Sequence, residues 1–251
     1  MIHIKNDREI KTMREVGKIT SMILTNLIIN TNIGDTGLDI DRRAKKLFDS
    51  VGVESAFLHL YGFPAHLCIS TNEYVLHGIP NSIPFKDGDV IKMDIGSKYK
   101  GFNSDMARTF ILGKPTNENH LKLIDANKKA LDLAISVVKD GVETNEISRQ
   151  IENFVKTTTF ASVDAFGGHG IGVSLHEPPK IFNAIKKDQP NTVLKTNMVI
   201  CIEPILLLTG TGELIFETGN KWAIKTPDNC IGSHFEDMIA VRKSGYEILT
   251  R

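Results

Sequence analysis

Four acidic residues stand in apolar surroundings where a carboxylate is costly. Asp94 interrupts the phrase Val90-Ile91-Lys92-Met93-Asp94-Ile95, and Asp105 follows eleven residues later. Glu203 lies within MVICIEPILLL, and Glu236 within HFEDMIAV. An ionised carboxylate is expensive to bury unless it is paired or bound to metal. A single such acid is more often half of a buried ion pair with Lys or Arg, or the solvent-reaching end of a strand. Four of them, without a matching set of arginines in the apolar runs, favour cations as the partners. The first pair has a further constraint. The polar stretch GSKYKGFNS, with Gly96 and Gly101 as breakers, separates two strand-like runs and reads as a hairpin turn. A loop centred between Tyr99 and Lys100 sets Asp94 directly opposite Asp105, on one face, with Cβ atoms about 5 Å apart. A cation between them or a shared proton relieves the repulsion.

Three histidines accompany the acids. His169 lies in GGHGIG, where Gly167, Gly168, Gly170 and Gly172 permit tight bends and close approach of backbone to a ligand. His176 lies in SLHEPP, and His77 in VLHGIP at a strand end. Each alone reads as a structural histidine. Together, Asp94, Asp105, His169, Glu203 and Glu236 form an oxygen-rich set with one imidazole, able to hold two divalent cations. That donor set suits Mn, Fe, Co or Zn better than a thiolate site does. Two dications cancel the formal charge of four carboxylates, so a water between them can lose a proton near neutral pH.

Other chemistries lack their signatures. HEPPK at His176 starts like the zinc-protease helix motif but has no second histidine, and Pro178-Pro179 disfavours a helix interior. The chain has no phosphate-cradling Gly-x4-Gly-Lys-Ser/Thr loop and no Gly-x-Ser-x-Gly elbow. Cys201 shares the apolar run of Glu203 and reads as packing rather than as a nucleophile.

The elements that position these residues follow a pattern stated twice. Ile10, Met13, Val16, Ile19, Met22, Ile23 and Leu27 recur with helical period, and a second amphipathic stretch spans Asp39 to Val51. Strand signals dominate residues 66 to 112. Helical stretches return at His120 to Lys139 and Thr144 to Lys156, followed by strands from about Ser162, with GTGELIFETGNKW as a glycine-rich hairpin. Lys86, Val90, Ile91 and Asp94 align with Lys195, Val199, Ile200 and Glu203 at an offset of 109 residues, so an acid closes the same phrase in each half. The expected organisation is one catalytic domain over residues 1–251, made of pseudo-repeat halves of about 1–115 and 116–251.

Composition narrows the partners. The 251 residues are 41% hydrophobic and 24% charged, enough for a substantial core. Thirty basic residues balance thirty acidic ones, so no global field recruits nucleic acid or an anionic membrane. Three cysteines without paired spacing, no signal-peptide pattern and no membrane-length apolar run predict a soluble, cytoplasmic protein with reduced thiols.

The order HGIP, MDIG with a second Asp eleven residues on, GGHGIG followed by LHEPP, then IEP and FED, resembles the type I methionine aminopeptidases over nearly the whole chain. The resemblance implies the pita-bread fold, two pseudo-symmetric α/β halves around a curved antiparallel sheet. The short span from His176 to Glu203 leaves no room for the type II insert, and no zinc-binding N-terminal extension is expected. It implies that Asp94 binds one metal, that Asp105 and Glu236 bridge, and that His169 and Glu203 bind the other. It gives His77 a contact with the scissile amide, His176 a hydrogen bond to the carbonyl oxygen, and Glu203 the proton transfer to the leaving amine. Phe57, Leu60, Phe63, Cys68, Leu175 and Trp222 are placed around the methionine thioether.

The implied substrates are N-termini of nascent polypeptides with a small second residue, met by a monomer in transient contact with the ribosome. This chain departs from the family in having Asp237 and His234 where histidine and glutamine are common, and Leu60 and Phe63 where tyrosine is frequent; Asp237 is expected to tune the metals from behind their ligands. An X-Pro-cleaving hydrolase on the same fold is disfavoured because such enzymes usually carry an additional N-terminal domain. A non-catalytic peptide-binding paralogue is disfavoured because all five ligand positions are kept.

Overall fold

The computed structural model describes residues 2–251. Helix α1 (Asp7–Ile29) starts at Asn6, whose side chain accepts from the N–H groups of Arg8 and Glu9 while Glu9 reaches back to the cap, and it buries Ile10, Met13, Val16, Ile23 and Leu27. Helix α2 (Gly37–Val51) is capped by Thr36 and Asp39 and stops at Gly52, whose φ of 67° continues no helix. It starts two residues earlier than the apolar pattern suggests because the N-cap is Thr36, with Asp39 as the third helical residue reaching back to it. The second pair is α3 (Glu118–Ser136) and α4 (Thr144–Val155).

Strands β1 (Glu54–Ser55), β2 (Cys68–Thr71), β3 (Tyr74–Leu76), β4 (Val90–Tyr99) and β5 (Phe102–Ile111) lie between the helix pairs. After α4 come β6 (Ala161–Ser162), β7 (Gly167–Gly170), β8 (Glu177–Phe182), β9 (Val199–Ile202) and β10 (Ile205–Leu207). The chain ends with β11 (Ile215–Phe216), β12 (Ile224–Lys225), β13 (Gly232–His234), β14 (Asp237–Arg242) and β15 (Gly245–Ile248). All pairings are antiparallel. In one sheet β4 has β5 on one edge and β1 and β2 on the other; the second large sheet runs β15-β14-β9-β7-β8. A bridge from Ala107 of β5 to Glu236 joins the two. Smaller sheets run β13-β10-β6 and β11-β12-β3, the latter closing the glycine-rich hairpin.

The two-residue period of β4 divides its labour. Ile91, Met93 and Ile95 pack with Ile23, Leu24 and Leu27 of α1 and Ile40 and Phe48 of α2. The opposite face carries Asp94. The second half repeats this, with Ile200 and Ile202 of β9 packed among Leu131, Ile135, Ile147 and Ile151 of α3 and α4, while Val199 and Cys201 face Met238 and Ala240.

The β4-β5 hairpin corrects one expectation. Tyr99 pairs with Phe102, leaving Lys100 and Gly101 as a two-residue turn with φ of 49° and 84°. Both central residues of such a primed turn need positive φ, which glycine accepts without strain and Tyr99 would resist. The centre therefore lies one residue later than the expected point between Tyr99 and Lys100, and the register moves by two. Asp105 is opposite Gly96, and Asp94 is opposite Ala107. The carboxylates still share a face, but diagonally, each across from a residue too small to fill the space between them.

Candidate active site

Glu203 and Glu236 do not lie within strands, as their apolar phrases suggest. Glu203 is where the chain leaves β9 of the five-stranded sheet for β10 of a small one, and Glu236 is where it passes from β13 back into β14. At these two crossings the backbone turns the side chains inward, toward Asp94 and Asp105 on the first half's hairpin. His169 comes from β7, its Nδ1 2.9 Å from the carbonyl of Gly170, which turns Nε2 to the acids. The neighbouring glycines serve close approach rather than bends, none having positive φ. A Cβ on Gly168 would lie 2.0 Å from the carbonyl oxygen of Cys201.

The acids converge. Ligand atoms of Asp94, Asp105 and Glu236 lie within 4.8 Å of one another, as do those of Asp105, His169 and His176. His169 Nε2 is 3.9 Å from Asp105 Oδ2 and 3.8 Å from Glu203 Oε1. Among the described residues, the cluster's only basic side chains within 4 Å are the imidazoles of His169 and His234, with no lysine or arginine. Asp94 Oδ1, Asp105 Oδ1 and Glu236 Oε1 are buried without a hydrogen-bond partner. Burial pushes the Asp94 carboxyl up to about 7. Burial, then the Asp94 charge, raises Asp105 well above the carboxylate range, and burial with Asp105 and Glu203 does the same to Glu236. Glu203 differs: burial raises it, but His234, His169 and His77 more than offset this and hold it below its ordinary value. Crowded acids with orphaned oxygens and no arginine are the donor set that divalent cations satisfy.

A cavity of about 670 Å³ opens on this cluster and is lined by Phe57, Leu60, Phe63, Cys68, His77, Asp94, Asp105, His169, Leu175, His176, Glu203, Trp222 and Glu236. Every candidate site residue read from the sequence is thus in one place. Phe63 meets Trp222 edge to face at 5.2 Å, forming an apolar wall with Leu175 and Phe57. His77 has a left-handed backbone, φ 53°, and its ring is held edge-on by Phe166 at 5.8 Å. Burial lowers its pKa, and burial with His169 pushes His176 down to about 4, so at neutral pH both imidazoles are uncharged.

Phe166, Tyr61 and His234 also belong here and were not among the expected site residues. Tyr61, 72% exposed, stacks on His176 at 6.1 Å; nothing in its local sequence marks it. Phe166 directly precedes Gly167, the one signal available. Cys201 lies within 4.8 Å of ligand atoms of His169 and Glu236, but burial, then Glu236 and Asp105, raise its thiol well above the usual range, in keeping with packing. Asp237 departs from expectation. Its buried carboxylate accepts from Arg108 Nη2 at 2.6 Å, Arg251 Nε at 2.7 Å and Thr250 Oγ1 at 2.9 Å. Two arginines neutralise it outside the cavity lining, so it places no free charge behind the acid cluster.

Residues 11–243 match the sequence model of metallopeptidase family M24. The chain belongs to that family. Within M24, a methionine aminopeptidase of Mycoplasma capricolum is 36% identical over 100% of this chain and 99% of its own length. The crystal structure of methionine aminopeptidase from Thermotoga maritima superposes with a TM-score of 0.95 at 32% identity, covering 100% of both chains. The M24 fold extends to a prolidase from Pyrococcus horikoshii, with a TM-score of 0.78 at 25% identity, covering 99% of this chain but 63% of that one. The pita-bread fold expected from the motifs is the fold observed.

Proposed function

We propose that this metallopeptidase removes N-terminal methionine from polypeptides whose second residue is small. The observation that carries the reading is the continuity of one cavity, apolar at Phe57, Phe63, Leu175 and Trp222 and acidic at its floor. An unbranched thioether fits the apolar wall, where soft and aromatic groups contact sulfur favourably. Full-length likeness to methionine aminopeptidases supports it.

Asp94, Asp105, His169, Glu203 and Glu236 would hold two divalent ions of Co, Mn, Fe or Zn. Such ions, when bound, supply Lewis acidity and a water acidic enough to lose its proton near neutral pH. Glu203, held ionised by its imidazole neighbours, accepts that proton and delivers it to the leaving amine. His176, neutral and fixed between His169 and Tyr61, donates to the carbonyl oxygen as negative charge develops there. His77, braced by Phe166, orients the scissile amide. The same imidazoles and Tyr61 crowd the space beyond the acids, which favours a small second residue.

The reading includes a single catalytic unit of two halves, 1–115 and 116–251. Their bonding supports it: Gly34 N–H donates to Phe85 O and Phe85 N–H to Asp35 O, while Gly141 N–H donates to Leu194 O and Leu194 N–H to Val142 O. It also includes a monomer acting on nascent chains in the cytoplasm, in transient contact with the ribosome; no described helix is long and apolar enough to cross a membrane.

A peptide panel tests the reading. With metal supplied, Met-Ala-Ser is expected to be cleaved, Met-Ile and Met-Leu peptides to be poor, and Ala-Pro and Ala-Ala to be resistant. Preferential cleavage of Ala-Pro would instead make it an X-Pro hydrolase, and no cleavage of any peptide would favour a binding paralogue.

A further inference from the structure

His234 enters the reaction above only as an imidazole beside Glu203, yet its placement fits a ligand. Its backbone is clasped by Thr109, whose hydroxyl accepts from His234 N–H at 2.8 Å and donates to His234 O at 2.7 Å. Pairing of β13 with β10 sets it opposite Ile205, two residues after Glu203. The side chain is 2% exposed. Its Nε2 has no hydrogen-bond partner and stands 3.4 Å from Glu203 Oε2. Ligand atoms of Glu203, His234 and Glu236 all lie within 4.8 Å of one another.

An orphaned buried nitrogen costs roughly 1–3 kcal/mol, and proteins seldom leave one beside an acceptor without a reason. A neutral ring with its Nε2 lone pair toward Glu203 sets two electron-rich atoms face to face. A ring with Nε2–H there has an acceptor in range but not in hydrogen-bond alignment. A cation between the nitrogen and the two glutamates satisfies all three groups at once.

We propose that His234 is a ligand of the metal centre, binding through Nε2 the ion that Glu203 and Glu236 share, so that the centre has two imidazoles, His169 and His234. The inference rests on the acid cluster being a metal centre. A second imidazole biases the centre toward ions that favour nitrogen, Zn and Co, and away from Mn, which carboxylate and water suit.

Two measurements on the full-length protein, stripped of metal and reloaded, decide it. In the ¹H NMR spectrum of the Co²⁺-loaded protein, each coordinated imidazole contributes one strongly shifted, solvent-exchangeable N–H resonance. Two are expected in the wild type and one in His234→Gln. Glutamine keeps a side chain able to hydrogen-bond Glu203, so the variant separates ligation from support. Calorimetric titration should show Zn²⁺ and Co²⁺ affinity lowered about tenfold or more by the substitution, with Mn²⁺ affected much less. A single shifted imidazole N–H in the wild type overturns the inference while leaving the metal centre intact, and needs no variant to fold. Equal losses for Co²⁺ and Mn²⁺ would likewise overturn it, making His234 a support for Glu203. A wild-type protein that takes up no metal would overturn the metal centre itself, and this inference with it.

Discussion

Asp105 and His176 stand on opposite sides of the distinction between holding ions and handling substrate. Asp105 is buried, 3% exposed, with one oxygen orphaned and the ligand atoms of Asp94, Glu236, His169 and His176 around it. Replacing it by alanine removes a carboxylate from the middle of the cluster. Asp105→Ala is expected to lower turnover about 100-fold or more and to bind fewer equivalents of metal, as read by peptide hydrolysis and elemental analysis. Full turnover in a chelated, folded variant would disprove the role of the cluster. His176 is also near His169, at 4.5 Å between ring centroids, but its proposed work is donation to the carbonyl oxygen. His176→Ala should therefore lower kcat about 100-fold with metal content unchanged. Metal lost in step with activity would make His176 a support of the centre instead.

At the scale of elements, the last strand holds the first helix. Glu247 of β15 is paired with Arg14 of α1 and with Arg242 of β14, and these hydrogen bonds hold its carboxyl down to about 2. A carboxylate with a depressed folded pKa contributes stability above its unfolded pKa and loses it as pH falls through the folded one. Glu247→Gln is thus expected to destabilise the protein at neutral pH by about 1 kcal/mol, a figure limited by solvent screening of this partly exposed pair. The difference from wild type should shrink between about pH 4.5 and pH 2. Denaturant titrations across that range measure it, and a constant difference would mean that the ion pair is not its source.

For the whole molecule, the candidate ligands are divided between the halves, Asp94 and Asp105 from the first and His169, Glu203 and Glu236 from the second. Apart from the Ala107–Glu236 bridge, the acids meet mainly through mutual repulsion, so ions between them should lock the halves together. At a hundredfold excess over Kd, binding adds about 2.7 kcal/mol. At about 2–4 °C per kcal/mol for a chain of this size, metal loading is expected to raise Tm by roughly 5–10 °C, and chelation to reverse it. Scanning calorimetry of stripped and loaded protein checks this. An unchanged Tm would mean that no ion bridges the halves.

Local rules made much of this legible. The helical period of Ile10 to Leu27 and the Asn6 cap specify α1 without reference to anything distant, because capping and amphipathicity act within a turn or two. The alternation along β4 already placed Asp94 and Asp105 on one face, since a shift of register by two preserves the side-chain period. What lay across from each acid was decided by the turn, where Gly101 takes a positive φ without strain and Lys100 stands at 49° beside it. Other features depend on chain segments that meet only on folding, such as Arg108 and Asp237, 129 residues apart, and had no local signature. The crossings between sheets that turn Glu203 and Glu236 inward, the arginines from β5 and the C-terminus that neutralise Asp237, and the orphaned Nε2 of His234 are of this kind. Residue types and spacing determined which chemistry the chain carries, because donor atoms and strand parity are properties of the covalent sequence. Which acid is paired, orphaned or neutralised was decided by tertiary structure alone, because burial and electrostatic partners exist only after the two halves have closed on each other.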